Sequence, residues 1–180
     1  MPDRAPLAVL LNGSLGVGKS TLAEALGEAI ERSVTLDGDQ LSALNPPPAD
    51  EVRALHETIG LLIGHHLARG YDRFVIPHYW SSADELAALG GRLRAIREDF
   101  EVRAFLLTLP RDANLRRIAA RRSTRAIDET EFEAQTFAGE FDALSAARGL
   151  EFGEPFHVSD RPEVLVARML RLLGLPPPSA

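Results

Sequence analysis

The sequence predicts an α/β protein built on one parallel sheet, because short apolar runs alternate with longer amphipathic segments along the chain. Strands that alternate with helices form right-handed crossover units, which set the strands in parallel and the helices on the faces of the sheet. The length of 180 residues suits one domain with a full core. Since no repeat or long linker divides the chain, we expect a single domain over residues 1–173 and a disordered tail at 174–180.

Five apolar runs predict the strands. The first, LAVLLN, is apolar almost throughout, as expected for a strand buried on both faces of a parallel sheet. The third is RFVIP, and the fourth, EVRAFLLTL, is stopped by Pro110, which cannot donate to a sheet ladder. In chain order, the predicted strands cover residues 7–12, 33–37, 73–77, 101–109 and 155–160.

The segments between those runs predict six helices, because their apolar residues recur at a spacing of three or four. Asp50 precedes the second helix and Ser81 or Ser82 the third, where a side-chain oxygen can accept hydrogen bonds from the first turn. Polar residues 123–130 predict a mobile loop before the fifth helix. The helices cover residues 18–31 and 51–69, a segment from Leu86 to Ile96, residues 111–122, a segment around 132–144, and residues 162–173.

Composition and charge exclude several classes of protein. A formal net charge of −6 argues against a protein whose main role is to coat nucleic acid, since that role requires a basic surface. The absence of cysteine excludes disulfide bonds and zinc–thiolate sites. No apolar segment approaches the roughly 18 residues that span a bilayer, and the first residues lack the apolar core of a signal peptide. We therefore expect a cytoplasmic protein without membrane contacts.

The segment GSLGVGKS, between the first strand and the first helix, predicts a polyphosphate site. It matches the pattern G-x-x-x-x-G-K-[ST] in the required strand-to-helix context. Glycines let backbone N–H groups approach phosphate oxygens at a helix N-terminus, the lysine reaches the β- and γ-phosphates, and the serine hydroxyl can bind Mg²⁺. The residues expected to bind the nucleotide are Gly13, Gly16, Val17, Gly18, Lys19, Ser20 and Thr21.

Two carboxylates follow the second strand in the segment TLDGDQL. We expect Asp37 and Asp39 to lie at the carboxyl edge of the sheet, where ligands bind in open α/β folds. One can hold Mg²⁺ through water and the other can orient an acceptor hydroxyl and take its proton. The alternative is a hydrated turn in which an aspartate caps the next helix.

The loop, the LDGD segment and the chain length together resemble small P-loop kinases of the shikimate, gluconate and adenylylsulfate kinase type. LDGD is similar to adenylylsulfate kinases, VLLNGSLGVGKS to chloramphenicol phosphotransferase, and IPHYW with LGGRLR to tunicamycin-resistance proteins. The resemblance implies a P-loop NTPase three-layer sandwich with a five-stranded parallel sheet of order 2-3-1-4-5. It also implies ATP with Mg²⁺ and a closing lid at about 123–130.

Residue roles follow from this resemblance. Ser20 and Asp37 match the metal side of the site, and Asp39 matches the acceptor side. Arg117 or Arg121 would stack on adenine, and Arg122 or Arg125 would clamp the transferred phosphate from the lid; the alternative is a solvated helix face. Adenylylsulfate kinases carry a Ser-Pro pair after the third strand, where this chain has Ile76-Pro77. Shikimate kinases carry a glycine triplet near that position, and this chain has none. The resemblance therefore implies neither of the two substrates.

The segment HYW follows the third strand, where the acceptor would lie in this architecture. His78 could hydrogen-bond a hydroxyl and Trp80 could stack on a ring, although an ordinary strand-end histidine and a core tryptophan are the alternatives. His56, on the second predicted helix, is expected at the surface.

These observations predict an ATP- and Mg²⁺-dependent kinase that phosphorylates a hydroxyl of a small molecule, either a metabolite or an antibiotic. In this prediction Lys19, Asp39 and Arg125 are catalytic. One alternative is a 5′-hydroxyl nucleic-acid kinase, which the acidic charge disfavours. Another is a nucleotide- or drug-binding resistance protein that transfers no phosphate. The acceptor, the choice between ATP and GTP, and the choice between monomer and homodimer stay open.

Overall fold

Five parallel strands form one sheet in the computed structural model of the chain, which describes residues 4–122, 130–146 and 149–177. The strands lie in the order β2-β3-β1-β4-β5, with every pair parallel, so the predicted sheet and its order are confirmed. Their bounds are β1 Leu7–Asn12, β2 Ser33–Thr35, β3 Arg73–Pro77, β4 Glu101–Thr108 and β5 Glu154–His157.

The helices agree with the sequence pattern apart from one short addition. Asp50 and Ser82 cap the helices that they precede, as predicted, by accepting from the N–H groups of Arg53 and Glu85. The addition is α2, a single turn that the pattern did not predict because it is too short to show a periodicity. The helices are α1 Lys19–Ala29, α2 Gly38–Leu41, α3 Glu51–Leu67, α4 Ala83–Ile96, α5 Arg111–Arg122, α6 Thr130–Ser145 and α7 Pro162–Leu172.

Two apolar layers, one on each face of the sheet, make the fold a three-layer sandwich. The central strand β1 is buried at all six positions, and its alternate side chains enter opposite layers. Val9 and Leu11 pack with α1 and α7, whereas Ala8 and Leu10 pack with α3 and α4. This burial on both faces is why the strand reads as a continuous apolar run.

The topology brings the ends of β1, β2 and β3 to one edge of the sheet. Strand β1 pairs with β3 on one side and with β4 on the other, so the chain reverses its direction of travel across the sheet at β1. Ligands of open α/β sheets bind at such a switch point, outside the carboxyl ends of the strands. The loop after β1 therefore lies where the sequence predicts the phosphate site.

The end of the chain differs from the expected tail. Leu175 packs against the apolar layer of α1 and α7, and its N–H donates to the Leu170 carbonyl at 2.9 Å. Residues 174–177 thus continue the fold instead of forming a disordered tail, and residues 178–180 lie outside the described ranges. Within the described ranges, no helix combines the length and the apolar character needed to cross a membrane.

Candidate active site

The loop between β1 and α1 presents a helix N-terminus to the edge of the sheet. Gly18 is the N-cap of α1 in a left-handed conformation, with φ of 107°, and no side chain caps the helix. The first backbone N–H groups of an α-helix have no partner inside the helix and carry the positive end of its dipole. The loop is therefore built to bind an anion through its main chain.

Gly16 is required because helix α5 packs directly on the loop. Its φ is +77°, and a Cβ built there would lie 2.4 Å from Ile118 Cγ1 and 3.0 Å from Asn114 Oδ1. Neither the backbone conformation nor the space suits any other residue. The loop thus takes its shape from a tight contact with α5.

Polar side chains of α5 also hold the loop. Asn114 Nδ2 donates to Ser14 Oγ at 2.9 Å, and Arg117 donates from Nη1 to the Val17 carbonyl and from Nη2 to the Val158 carbonyl, both at 2.7 Å. Arg117 therefore connects the loop to the chain after β5. Its guanidinium is anchored at two points, and its predicted stacking on adenine stays a prediction.

A cavity of about 670 Å³ extends from this arginine across the loop to Asp39. Small-molecule sites typically measure roughly 300–1,000 Å³, so the cavity is large enough for a nucleotide. Its far wall comes from α5, α7 and the segment between β5 and α7. The residues that line it are Leu15 to Leu22, Asp39, Arg117, Ala120, Val158, Asp160, Pro162 and Leu165.

Lys19 and Ser20 point across the loop as a phosphate and metal site requires. Lys19 Nζ donates to the carbonyls of Gly13 at 2.8 Å and Ser14 at 3.4 Å. Ser20 Oγ donates to Asp37 Oδ2 at 3.0 Å. A hydroxyl next to a carboxylate oxygen is a donor set that suits Mg²⁺, which takes few protein ligands and completes its shell with water and phosphate oxygens.

Asp37 serves two purposes with its two oxygens. Oδ1 accepts from the backbone N–H groups of Asp39 at 3.0 Å and Gln40 at 3.3 Å and caps α2. Oδ2 faces Ser20. The helix-cap alternative and the metal-side prediction are therefore compatible, because each uses a different oxygen.

Asp39 and His78 form a pair across the carboxyl ends of β2 and β3. His78 Nδ1 lies 2.9 Å from Asp39 Oδ1. The His78 hydrogen bond is the main cause that holds the pKa of Asp39 below its ordinary value, and the charge of Lys19 lowers the pKa further against an opposing effect of burial. Gly38 makes the approach possible, because a Cβ there would lie 2.7 Å from His78 Cβ.

Trp80 does not line the acceptor side as predicted. Its side chain is 1% exposed and belongs to the apolar layer of α3 and α4, so it has no free face for stacking on a substrate. Its ring packs edge-on against His78, with 5.3 Å between the centroids. Trp80 is therefore a core residue, as the alternative prediction had it, and its ring packs against the ring of His78.

Asn12 is a residue that the sequence analysis missed. It is fully buried at the end of β1, where Oδ1 accepts from the N–H groups of Gly13 at 2.8 Å and Trp80 at 3.1 Å. Its Nδ2 donates to the Trp80 carbonyl at 3.2 Å. One side chain thus ties the start of the phosphate loop to the segment that carries His78. The sequence carried a signal for this role, because Asn12 is a polar residue at the end of an otherwise apolar strand.

Glu140 and Tyr79 were also missed: Glu140 contacts the phosphate loop, and Tyr79 follows His78 directly in the chain. Glu140, on α6, accepts from the Leu15 N–H at 2.6 Å. Burial is the main cause that raises the pKa of Glu140, and the charge of Asp39 adds to the shift, while the charges of Lys19 and His78 and the hydrogen bond from the Leu15 N–H lower it. Burial likewise raises the pKa of Tyr79, with Glu140 and Glu85 adding to the shift.

His56 lies inside the protein and not at its surface as expected. It is 4% exposed, and burial is the main cause that lowers its pKa. The charges of Glu85, Arg92, His78 and Asp50 act on it as well. His56 lies at helical spacing from the buried Ile59 and Ile63 and so shares the face of α3 that packs with α4 and the sheet.

Solved structures match this architecture, whereas no known family profile and no curated protein sequence matches the chain. The tunicamycin resistance protein of Deinococcus radiodurans is 17% identical, with a TM-score of 0.67, over 98% of this chain and 100% of that chain. A gluconokinase from Sinorhizobium meliloti is 16% identical, with a TM-score of 0.63, over 95% and 97%. An APS kinase from Mycobacterium tuberculosis, in complex with AMPPNP and APS, is 20% identical, with a TM-score of 0.56, over 96% and 99%.

This chain has the fold of the small P-loop kinases. The resemblance seen in the loop and in LDGD is thereby confirmed as a resemblance of fold. In the P-loop fold of this chain, the loop, the Ser20–Asp37 contact and the Asp39–His78 pair share the edge at which β1, β2 and β3 end.

The arginines predicted for the lid stay predictions. Arg125 and most of the predicted lid lie outside the described residues, and Thr130 is the first residue of α6. Arg121 and Arg122 end helix α5, and their side chains are outside the described part of the chain.

Proposed function

We propose that this protein is an ATP- and Mg²⁺-dependent phosphotransferase that moves the γ-phosphoryl group to a hydroxyl of a small molecule. The observation that carries the proposal is the Asp39–His78 pair, which stands at the same edge as the phosphate loop and within reach of the charge of Lys19. A protein that only binds a nucleotide has no need for a carboxylate held in this position.

The nucleotide side supplies charge stabilisation. The N–H groups at the start of α1 and the Lys19 ammonium would bind the β- and γ-phosphates, and the cavity beside Arg117 would take the base and ribose. Ser20 Oγ and Asp37 Oδ2 would hold Mg²⁺, which neutralises charge on the phosphate oxygens when bound.

The acceptor side supplies orientation and a proton acceptor. The acceptor oxygen forms a bond to the γ-phosphorus as the bond to the β,γ-bridging oxygen breaks, and the hydroxyl proton passes to the Asp39 carboxylate. A lowered pKa suits this role, because Asp39 stays ionised and because the loose transition state of phosphoryl transfer needs little deprotonation of the nucleophile before it forms. His78 fixes the carboxylate through Oδ1 and leaves Oδ2 for the acceptor.

The proposal is tested by measuring ADP release over a panel of hydroxylated metabolites and antibiotics, with wild type, Asp39→Asn and Lys19→Ala. We expect one class of acceptor to stimulate turnover and each substitution to lower kcat at least ~100-fold, which is the usual size of such contributions. Asp99→Asn, an exposed carboxylate paired with Arg97, is the matched control and should change kcat less than about twofold.

Thermal unfolding of each variant separates a chemical defect from a folding defect. Undiminished turnover by Asp39→Asn would remove this residue from the reaction. Nucleotide and ligand binding without ADP release would favour a sequestering protein, and turnover that requires an RNA or DNA 5′ end would favour a nucleic-acid kinase.

A further inference from the structure

A second cavity lies at the end of the sheet opposite to the candidate active site. It measures about 380 Å³, which is within the usual range of roughly 300–1,000 Å³ for small-molecule sites. Arg73 begins β3 and Ala29 ends α1, and because both line the cavity it lies at the amino ends of the strands. None of its lining residues lines the nucleotide cavity. A ligand bound here would therefore not compete with a nucleotide for space.

One wall of this second cavity is apolar. The end of α1 contributes Ala29 and the adjacent Ile30. The end of α7 and the segment after it contribute Leu170, Leu175 and two prolines. Walls of this kind surround the apolar body of a small organic molecule.

The other wall carries three arginines and two acids. Asp72 divides its charge between two of the arginines, because Oδ2 lies 3.2 Å from Arg32 Nη2 and Oδ1 lies 3.6 Å from Arg73 Nη1. The remaining charged residues of the wall, Arg4 and Glu31, are exposed. The wall thus has one more positive than negative side chain.

Arg73 keeps one edge of its guanidinium unused. The side chain is only 5% exposed, and Nη1 donates to the carbonyls of Ala5 at 3.0 Å and Asp72 at 2.7 Å. Nε and Nη2 have no hydrogen-bond partner among the described residues. The fully buried side-chain atoms that lack a partner in that part of the chain belong to other residues, so Nε and Nη2 are accessible from the cavity that Arg73 lines.

The unused edge suits an oxyanion. The Nε–H and Nη2–H groups of an arginine are parallel donors, and such a pair binds two oxygens of a carboxylate or phosphate group. Burial is the main cause that lowers the pKa of Arg73, and the charges of Arg4 and Arg32 lower it further against those of Asp72 and Glu101. The charge of Arg73 is therefore incompletely compensated, and an anion beside it would offset the remainder.

We propose that this cavity binds an organic anion, whose carboxylate or phosphate monoester pairs with the Nε–Nη2 edge of Arg73 and whose apolar body packs on the opposite wall. A purely structural role of Arg73 explains the contacts of Nη1, which connect the chain before β1 to β3, but it uses neither Nε nor Nη2. The site is separate from the nucleotide site, so the proposal holds whether or not the protein transfers a phosphoryl group.

The test uses small probes that differ in one property at a time. Benzoate and phenyl phosphate carry an anion on an apolar ring, benzamide carries the ring without the charge, and acetate and inorganic phosphate carry the charge without the ring. We expect benzoate or phenyl phosphate to bind at least ~10-fold more tightly than benzamide and than the matching anion without the ring, as measured by titration calorimetry. Whichever of the two binds more tightly identifies the oxyanion.

Variants and heteronuclear NMR locate the probe. Arg73→Lys keeps the charge and removes the paired donors, and Ala29→Leu fills the cavity from the apolar wall without changing any charge, so each should weaken binding at least ~10-fold. The Nε–H signal of Arg73, assigned by its loss in Arg73→Lys, should shift when the probe is added to the wild-type protein. Arg94→Gln, at an exposed position of α4 outside this cavity, is the matched control and should change binding less than about twofold.

Three results would overturn the proposal. The first is the absence of binding by every probe at about 10 mM, a concentration that reveals even weak fragments. The second is equal binding of benzoate and benzamide, or unchanged binding in both Arg73→Lys and Ala29→Leu. The third is binding of phenyl phosphate that is lost in Lys19→Ala and kept in Arg73→Lys, which would place the anion in the phosphate loop.

Discussion

The two halves of the candidate site are built in different ways. The phosphate loop of the nucleotide half is one continuous segment, residues 13–21, whose main-chain groups are proposed to bind the phosphates and whose shape is fixed by helix α5. The acceptor half takes single side chains from two separate places: Asp39 after β2 and His78 after β3. Phosphate recognition is therefore local in the sequence, whereas acceptor recognition depends on tertiary packing.

The halves also differ in charge. The loop offers a helix N-terminus and Lys19, and α5 adds Arg117 beside it, which suits a polyphosphate. The acceptor side offers the Asp39 carboxylate, which is paired with His78.

The largest effect is expected where the two halves are joined. Asn12→Ala removes the partner of the Gly13 N–H and of both main-chain groups of Trp80, all in a fully buried position. Leaving a buried main-chain group unpaired costs about 1–3 kcal/mol, so with three such groups we expect the free energy of unfolding to fall by about 3 kcal/mol or more. Urea denaturation measures this change.

The same variant should impair both halves at once, raising KM for ATP and for the acceptor. The matched control is Gln135→Ala at an exposed position of α6, which should change stability by less than about 0.5 kcal/mol. A loss confined to one substrate would mean that Asn12 does not couple the halves.

A smaller effect that separates the halves is expected at Gly16. Gly16→Ala forces a Cβ to within 2.4 Å of Ile118 at a φ of +77°, so α5 or the loop must shift, at a cost of about 1–3 kcal/mol. ATP affinity should fall while acceptor binding to the free protein is preserved, as measured by calorimetry.

Gly91→Ala is the control for that substitution. Gly91 lies within α4 with nothing near its Cβ position, so alanine there should raise stability by up to about 1 kcal/mol. An equal loss of ATP affinity in the two variants would show that the loop is not shaped by its contact with α5.

The smallest effect concerns the pH dependence of stability. Burial lowers the pKa of His56 below its ordinary value of 6.5, so the unfolded chain binds more protons than the folded one as the pH falls through that value. The stability contributed by neutral His56 is therefore present above pH 6.5 and is lost below it. Glu85 and Asp50 oppose the shift, and Arg92 and His78 reinforce it.

His56→Gln removes the titration and keeps a polar side chain. Its loss of stability between pH 7.5 and 5.5, measured by urea denaturation, should be smaller than that of wild type. An identical pH dependence in both proteins would show that His56 does not titrate differently on folding.

The nucleotide half was predictable from the sequence because the residues of its phosphate loop follow one another in one short segment. The motif, its strand and its helix are adjacent along the chain, and the strand order followed from the family that the motif resembles. The Asp39–His78 pair could be anticipated because both residues end neighbouring parallel strands, although the distance between them could not.

The acceptor half was less predictable because its contacts join distant positions. Asp39 meets His78 across 39 residues, and Asn12 meets Trp80 across 68. The burial of Trp80 depends on its packing with residues of α3 and α4, which the segment around Trp80 does not show by itself. A short capped turn such as α2 has no period at all.

The most direct test of the phosphate-loop assignment uses Lys19, which is the only lysine of the chain. Acetic anhydride modifies Lys19 and the N-terminus, and mass spectrometry follows the two separately. Mg²⁺ with ATP should slow the modification of Lys19 at least tenfold and leave the N-terminus unchanged, because a triphosphate bound by the loop covers the ammonium. Modification of Lys19 at the same rate with and without saturating ATP would contradict the account.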